Sequence, residues 1–556
     1  MKEQGNDRLF DFIIIVFGII GGIIAFYRFY LYLVALYSRH PATSKWIMIT
    51  VIASAVLCLV AWLYNKSLDI AYGKSRPVSD EILVGEIEGT KKPLYISAET
   101  RTYHTQVIGS TGSGKTEGIT LPWIFDDIEK KRGLLIVDGK PEEGFLKRVY
   151  GKALEEGRGD DFLLFSLAKP SASHTFNPLA SGTPSEVVER VFTSFSSENE
   201  YYRSLAYSAV GSILKLIHQM GCIPKPGLVR ELLKNKGLLR AWLAKAKDPE
   251  LHSELESTLA LSPEKFEENF SGITAYFEQF TKSNVTTLLN QDRSEIDFEN
   301  VLLTKKIVYF QLPTLSNPTL ASALGKLVIQ SFAATVGKLQ SNGSLDPKRL
   351  FSVYLDDFND YIYKEFSAVA SKVRSGGVGI VFAHQSLADL KKVSEEFKDA
   401  IVENTNNKIV LNINDPESAE FFSRYTGTRT EEKTTERRTR GVIGHKDTGE
   451  QSVRDVEAFV IHPNVFKSQL KALEGVAILK SPKDVKRIER IRCQPVTANR
   501  IALPPNRSFP SVRFLSEAKM FGDIKDVSQS PQANPQPRQY GQVTKENRGN
   551  QNGTRT

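Results

Sequence analysis

The sequence predicts an α/β fold: a parallel sheet with helices on both faces, interrupted by an all-α insertion and preceded by an N-terminal transmembrane helical hairpin. Three observations predict it. Short apolar strands alternate with helical stretches in two separated parts of the chain. A glycine-rich loop of phosphate-binding pattern follows one of those strands. Two long apolar runs stand near the N-terminus.

The apolar runs come first. Phe12 to Tyr27 is uninterrupted and continues past Arg28 to Tyr37, and Trp46 to Tyr64 contains no charge. Each is long enough to cross the hydrocarbon core as a helix. Trp46, Trp62 and Tyr64 stand at the ends of the second run, where aromatic side chains favour the interface. The expected spans are residues 12–37 and 46–64 within an anchor of residues 1–70. The connection SRHPATSK makes a tight hairpin with both ends on one side. A cleaved signal peptide fits poorly, because two spans follow each other without a small-residue cleavage site.

The first part of the sheet is expected over residues 71–184. The strands ILVGEI, PLYIS and TQVIG lead into the loop, and LLIVD and FLLFSL follow. Helical periodicity without a convincing strand then marks residues 185–300 as an all-α domain. The sheet resumes over residues 301–500 with KIVYFQL, FSVYLDDF, GIVFAHQS and KIVLNI. Resumption after the insertion predicts one discontinuous nucleotide-binding domain. Arg424 to Gly449 is dense in Thr, Glu, Arg and Lys and reads as an exposed loop. Residues 501–556, rich in Gln, Asn, Pro, Ser and Gly towards their end, read as a disordered tail.

Composition bounds the chemistry loosely. With 556 residues and 41% hydrophobic content, the chain can bury more than one sizeable core. A net charge of +8 suits a phosphate-rich partner or an anionic membrane surface, and equally suits plain solubility. Cys58, Cys222 and Cys493 are too widely spaced for a metal pattern or a disulfide framework.

The chemistry is carried by QVIGSTGSGKT, Gln106 to Thr116. Gly109, Gly112 and Gly114 allow the tight turns that aim successive N–H groups inward, with Ser110, Thr111 and Ser113 between them. Lys115 would reach the β- and γ-phosphates of ATP, and the Thr116 hydroxyl would ligate Mg2+. Phosphoryl transfer also needs a strand-end acid on the metal and a carboxylate for the attacking water. Asp138, in LLIVDGK, is one candidate for the metal-side acid. Asp356 is favoured because SVYLDDF supplies two adjacent acids, leaving Asp357 as the candidate catalytic carboxylate or a helix N-cap. Gln385 ends a strand expected beside the acid strand, where an amide can bond γ-phosphate or water. Arg374 precedes GGVGIV, as an arginine finger for a neighbouring subunit or a charge that satisfies a helix terminus.

These features, with YHTQVIGSTGSGKT, VDGK at Asp138 to Lys140, FNPL at Phe176 to Leu179, IVYFQLP, YLDDF, RSGGVGIVFAHQS and SVRDVEAFVIHP in this order, resemble the type IV secretion coupling proteins. Those are the TraG/TraD-like membrane ATPases of conjugation, within the wider FtsK/HerA-type P-loop superfamily. The resemblance runs over roughly residues 12 to 480. It implies a RecA-like P-loop domain, a homo-hexameric ring in the bacterial inner membrane with its ATPase domain in the cytoplasm, and use of ATP and Mg2+. It implies transfer of relaxase-bound single-stranded DNA, with relaxosome proteins and the secretion channel as partners. Lys115, Thr116, Asp356, Gln385 and Arg374 fall on the family's functional positions. The usual Asp-Glu pair is Asp356-Asp357 here, which bears on hydrolysis rate rather than nucleotide binding. The short turn between the spans leaves little periplasmic material. Two other readings share the same engine: a receptor and scaffold recruiting protein effectors, and an FtsK-like DNA translocase. The second is opposed by two spans only and by the lack of a long linker or terminal DNA-reading domain.

Overall fold

Seven parallel strands form the part of the sheet that carries the phosphate loop. In chain order they are β3 (Thr105–Ile108), β4 (Gly133–Asp138), β5 (Phe162–Ser166), β6 (Ile307–Gln311), β7 (Phe351–Asp356), β8 (Val378–His384) and β9 (Asn407–Val410). Across the sheet they run β9-β3-β8-β7-β4-β6-β5. Every residue of β3 to β9 is buried, which is why these strands read as continuous Val/Ile/Leu/Phe runs rather than as alternations. The computed structural model describes residues 80–508, apart from residues 141, 196, 198, 283–284, 359–360, 441–444 and 482–484. The membrane spans expected over 12–37 and 46–64 lie outside the described residues, as does most of the tail expected over 501–556.

The sheet is not parallel throughout, which corrects the sequence expectation. Beyond β9 it continues with β12 (Glu474–Leu479), β13 (Arg487–Arg492), β1 (Glu81–Ile87) and β2 (Pro93–Ser97), each antiparallel to its neighbour. The reason is connection length. β1 and β2, the ILVGEI and PLYIS strands, are joined by residues 88–92, far too few for a parallel crossover. The result is a mixed sheet of eleven strands.

Helices cover the sheet. Leu121–Glu129 (α1) follows the phosphate loop after a π-helical turn over Thr116–Thr120, and Glu143–Glu155 (α2) follows β4. Between β5 and β6 the described chain is helical: Pro184–Ser194 (α3), Glu200–Gln219 (α4), Pro226–Lys234 (α5), Lys236–Leu243 (α6), Pro249–Leu259 (α7), Pro263–Glu278 (α8) and Phe298–Thr304 (α9), with shorter turns between them. Local chemistry starts these helices. Thr183 and Glu186 form a reciprocal capping box at α3, and Asn199, Asp248 and Ser262 accept backbone N–H bonds at α4, α7 and α8. β5 and β6 pair directly despite the insertion between them.

The inserted helices do not bury a core of their own. Phe310 of β6 packs 5.3 Å from Phe165 of β5 and 5.2 Å from Phe176, which meets Phe298 of α9 at 5.7 Å. From there one apolar cluster runs on through Phe192 to Trp242. Pro318–Ser341 (α10) joins the same cluster. It is long and apolar enough to cross a membrane, but 67% of its apolar window is buried within the molecule, and its buried face is core. Phe366–Val373 (α11) packs beside it before β8.

A second correction concerns Arg424 to Gly449. Most of it belongs to a two-stranded antiparallel ribbon, β10 (Thr428–Arg440) with β11 (His445–Phe459). Thr428 to Lys433 are exposed, as expected. The strands escape a sequence reading because no face of this part of the ribbon packs on a core, so there is no apolar alternation to see.

A candidate nucleotide site at the carboxyl ends of the parallel strands

The phosphate loop leaves β3 at Ile108, and its glycines adopt backbone that other residues resist. Gly112 has φ +79° and Gly114 φ +99°. A side chain at Gly114 would also meet Leu473, 2.7 Å from its Cδ2 and 3.1 Å from its backbone nitrogen. Two outside segments brace the loop: Ser110 N–H donates to the Asn412 carbonyl (2.7 Å), and Leu473 N–H to the Ser113 carbonyl (2.9 Å). Lys115 Nζ donates across the loop to the carbonyls of Gly109 (2.6 Å) and Ser110 (3.2 Å). Burial pulls the Lys115 pKa down, with Asp356 opposing. Thr111 lies exposed at the loop surface, while Ser113 is buried and its Oγ has no hydrogen-bond partner.

Strand order brings the acids to this loop. β8 lies between β3 and β7, and β4 flanks β7 on the far side. Asp356 ends β7 and is buried. The Thr116 hydroxyl donates to its Oδ2 at 3.1 Å, while its Oδ1 has no hydrogen-bond partner. Burial pushes the Asp356 carboxyl up, with Lys140 in opposition.

Asp138 ends β4 directly opposite Asp356. It accepts from the Tyr309 hydroxyl (2.6 Å) and the Lys140 N–H (2.9 Å). Burial first, then the Asp356 charge, push its pKa up to about 7. Lys140 Nζ stands 3.2 Å from Asp357 Oδ2 and 3.7 Å from Asp356 Oδ2. Burial works against the Lys140 charge, but Asp356 and Asp357 outweigh it and hold the pKa above its ordinary value.

The donor set fits a magnesium nucleotide. The buried Asp356 oxygen without a partner, the adjacent Thr116 hydroxyl and a loop whose glycine backbone rejects side chains make a cation position beside a phosphate cradle. Among the described residues, no group of three or more His, Cys, Asp or Glu forms a metal cage, so the remaining ligands would be water and phosphate.

Other predicted residues fall as follows. Gln385 directly follows β8, between the loop and Asp356, with its side chain exposed and its N–H donating to Asp389 Oδ2 (3.1 Å). Arg374 is not part of this cluster. It precedes β8, which runs parallel to β3, so it sits at the opposite end of the strands, exposed and stacked 4.3 Å from the Tyr103 ring centroid. The contact of Lys140 with both acids, and the bracing by Asn412 and Leu473, escape sequence reasoning. Lys140 is visible only as part of VDGK, and the other two are far from the loop in sequence.

With this geometry in place, comparison with known proteins is informative. Residues 351–468 match the family described as the TraM recognition site of TraD and TraG. Over 403 residues the chain is 24% identical to the type 4 coupling protein DotL of Legionella pneumophila subsp. pneumophila, covering 62% of this chain and 51% of DotL. The chain is a relative of the type IV coupling proteins. It spans about half the length of DotL. Among solved structures, the bacterial conjugative coupling protein TrwBΔN70 superposes with a TM-score of 0.56 at 14% identity, covering 75% of this chain and 90% of that one. TrwB in complex with ADP and Mg2+ gives 0.53 at 14% identity over 76% and 90%. TrwB with the ATP analogue ADPNP gives 0.54 at 14% identity over 78% and 92%. This chain therefore shares the fold of TrwB.

Proposed function

We propose that the chain is an inner-membrane coupling ATPase. It recruits a relaxase-bound DNA substrate and uses ATP to drive single-stranded DNA into a type IV secretion channel. One observation carries this reading: in a relative of the coupling proteins, the Thr116 hydroxyl and the buried, half-partnered Asp356 carboxylate meet at the end of a phosphate loop.

The residues divide the work. The loop N–H groups from Gly109 to Gly114, with Ser110, Thr111 and Ser113, cradle phosphates, and Lys115 neutralises the outer ones. Thr116 and Asp356 hold the metal. Mg2+, when bound, supplies charge neutralisation on the transferred phosphoryl group. Asp357 orients and deprotonates the attacking water, and Gln385 bonds the γ-phosphate end. Arg374, exposed at the far end of the strands, serves the nucleotide of a neighbouring copy in a homo-hexamer. The spans over 12–37 and 46–64 anchor the ring, and relaxosome proteins and channel components are its partners.

The test is substrate transfer in cells carrying the chain and its secretion system. Lys115→Ala, present at normal level in the membrane, is expected to reduce DNA transfer to background. Unchanged DNA transfer would overturn this reading. If protein export alone fell, the substrates would be protein effectors.

A further inference from the structure

The reach of Asp357 is a chemical problem that Lys140 solves. The side chain is short, and its backbone is left-handed, with φ +49°, a conformation that carries a backbone cost for residues other than glycine, smaller for Asp than for most. Such a cost persists where the surroundings hold it. Here the only cation within 4 Å of Asp357 among the described residues is Lys140, whose Nζ lies 3.2 Å from Asp357 Oδ2 and 3.7 Å from Asp356 Oδ2.

Lys140 is itself held in place. Its N–H donates to Asp138 Oδ1 at 2.9 Å, and Asp138 Oδ2 accepts from the buried Tyr309 hydroxyl at 2.6 Å. Asp138 pairs in register with Asp356 across β4 and β7. A continuous path therefore runs from Tyr309 through Asp138 to the Lys140 backbone, and from its ammonium to both acids. The second strand-end acid, an alternative metal-side acid on sequence grounds, works in this path as a backbone anchor.

The geometry points to Lys140 as a positioning residue for the Asp356–Asp357 pair. Its ammonium bridges the two acids, holding the Asp357 carboxylate beside that of Asp356, and it reduces the repulsion between two adjacent carboxylates. Lys140 does not bind the nucleotide in this scheme. The inference rests on the hydrolytic reading above.

The experiment uses full-length protein in membranes, with two readouts: ATP turnover, and affinity for a fluorescent ADP analogue with and without Mg2+. Lys140→Met keeps the stem and removes the charge. It is expected to lower kcat at least tenfold, leave KM for ATP within threefold, and leave Mg2+-dependent analogue affinity within threefold. Lys140→Arg is expected to recover most of kcat. Asp357→Asn combined with Lys140→Met is expected to be no slower than Asp357→Asn alone, because both changes act on one group. Full kcat in Lys140→Met would overturn the inference. So would a tenfold loss of analogue affinity, which would make Lys140 a nucleotide ligand, or a double variant tenfold slower than Asp357→Asn. Absence of turnover in the unaltered protein, with analogue binding intact, would instead defeat the hydrolytic reading itself.

Discussion

Asp138 and Asp356 stand opposite each other at the ends of adjacent parallel strands, and only Asp356 has a carboxylate oxygen left without a partner. Both Asp138 oxygens are engaged, by Tyr309 and by the Lys140 N–H. This difference favours Asp356 over Asp138 as the metal-side acid of the proposed site. Asp356→Asn is expected to lower turnover by at least 100-fold and to weaken Mg2+-dependent nucleotide binding. Asp138→Asn is expected to leave that binding largely intact. Titration of a fluorescent nucleotide with and without Mg2+ checks both.

Gly114 cannot carry a side chain. Its φ of +99° and the 2.7 Å approach of Leu473 Cδ2 to an added Cβ combine backbone strain with a clash. Gly114→Ala is expected to cost about 1–3 kcal/mol locally and to abolish nucleotide binding. Leu473→Ala in the same background relieves the side-chain contact but not the backbone term. It should therefore recover binding only in part, read in the same titration.

A buried ion network ties the start of β3 to α1. Arg101 donates to both oxygens of Asp127 (2.6 and 2.8 Å) and to the Tyr354 hydroxyl (2.8 Å), and Arg132 reaches Asp127 at 2.7 Å. Removing the one carboxylate would leave the buried Arg101 guanidinium without its ion-pair partner, whereas Arg132 would keep Asp80 (2.5 Å). Asp127→Ala is expected to destabilise the fold by about 3–5 kcal/mol. Hydrogen exchange of the α1 and β3 amides is the measurement, and unchanged protection would refute it.

Two buried histidines make the fold acid-sensitive. His104 Nε2 donates to the Ala370 carbonyl (2.5 Å) while its Nδ1 accepts from Ile380 N–H (3.1 Å). His384 Nδ1 faces the Ser386 carbonyl (2.8 Å) and its Nε2 meets Gln106 Nε2 (2.9 Å), so each ring is held neutral by one donor and one acceptor role. Burial pushes both from the ordinary 6.5 down to about 4. Between these values the unfolded chain binds more protons than the folded one. Stability is therefore intact above pH 6.5, falls as pH drops from 6.5 towards 4, by about 2 kcal/mol per histidine at pH 5, and levels off below 4. Protection of β3 and β8 amides at pH 5 and pH 7, corrected for intrinsic exchange, should show the loss. His384→Gln should shrink it.

Arg374 stands at the strand ends opposite to Lys115, so it cannot act on a nucleotide bound by its own chain without a large movement. Arg374→Ala is expected to leave nucleotide affinity unchanged and to lower turnover by at least 100-fold, only under conditions where copies associate. Turnover measured against protein concentration, beside the unaltered chain, separates the two.

Much of this was legible in the sequence, and the illegible parts share a cause. The phosphate loop is local chemistry, so its glycines and Lys115 can be read directly. The parallel core is legible because strands buried on both faces leave unbroken apolar runs such as Leu134 to Val137. The antiparallel extension is not, because β1 and β2 join β12 and β13 from nearly the other end of the described chain. The pairing of Asp138 with Asp356, and hence the place of Lys140, depends on β7 entering beside β4, which no local pattern encodes. The β10–β11 ribbon is hidden by the lack of an apolar face where its residues are exposed. The helical insertion is legible as helix but not as part of the main core, since Phe176 and Phe298 make that connection only in three dimensions.

The decisive experiment is ATP turnover by the full-length protein in membranes, with and without single-stranded DNA, beside Lys115→Ala. Turnover that rises several-fold with DNA, weakens as salt is added and disappears in the variant is the expected result. Turnover that is indifferent to DNA at every salt concentration, or that survives in Lys115→Ala, would contradict a DNA-coupled motor built on this site.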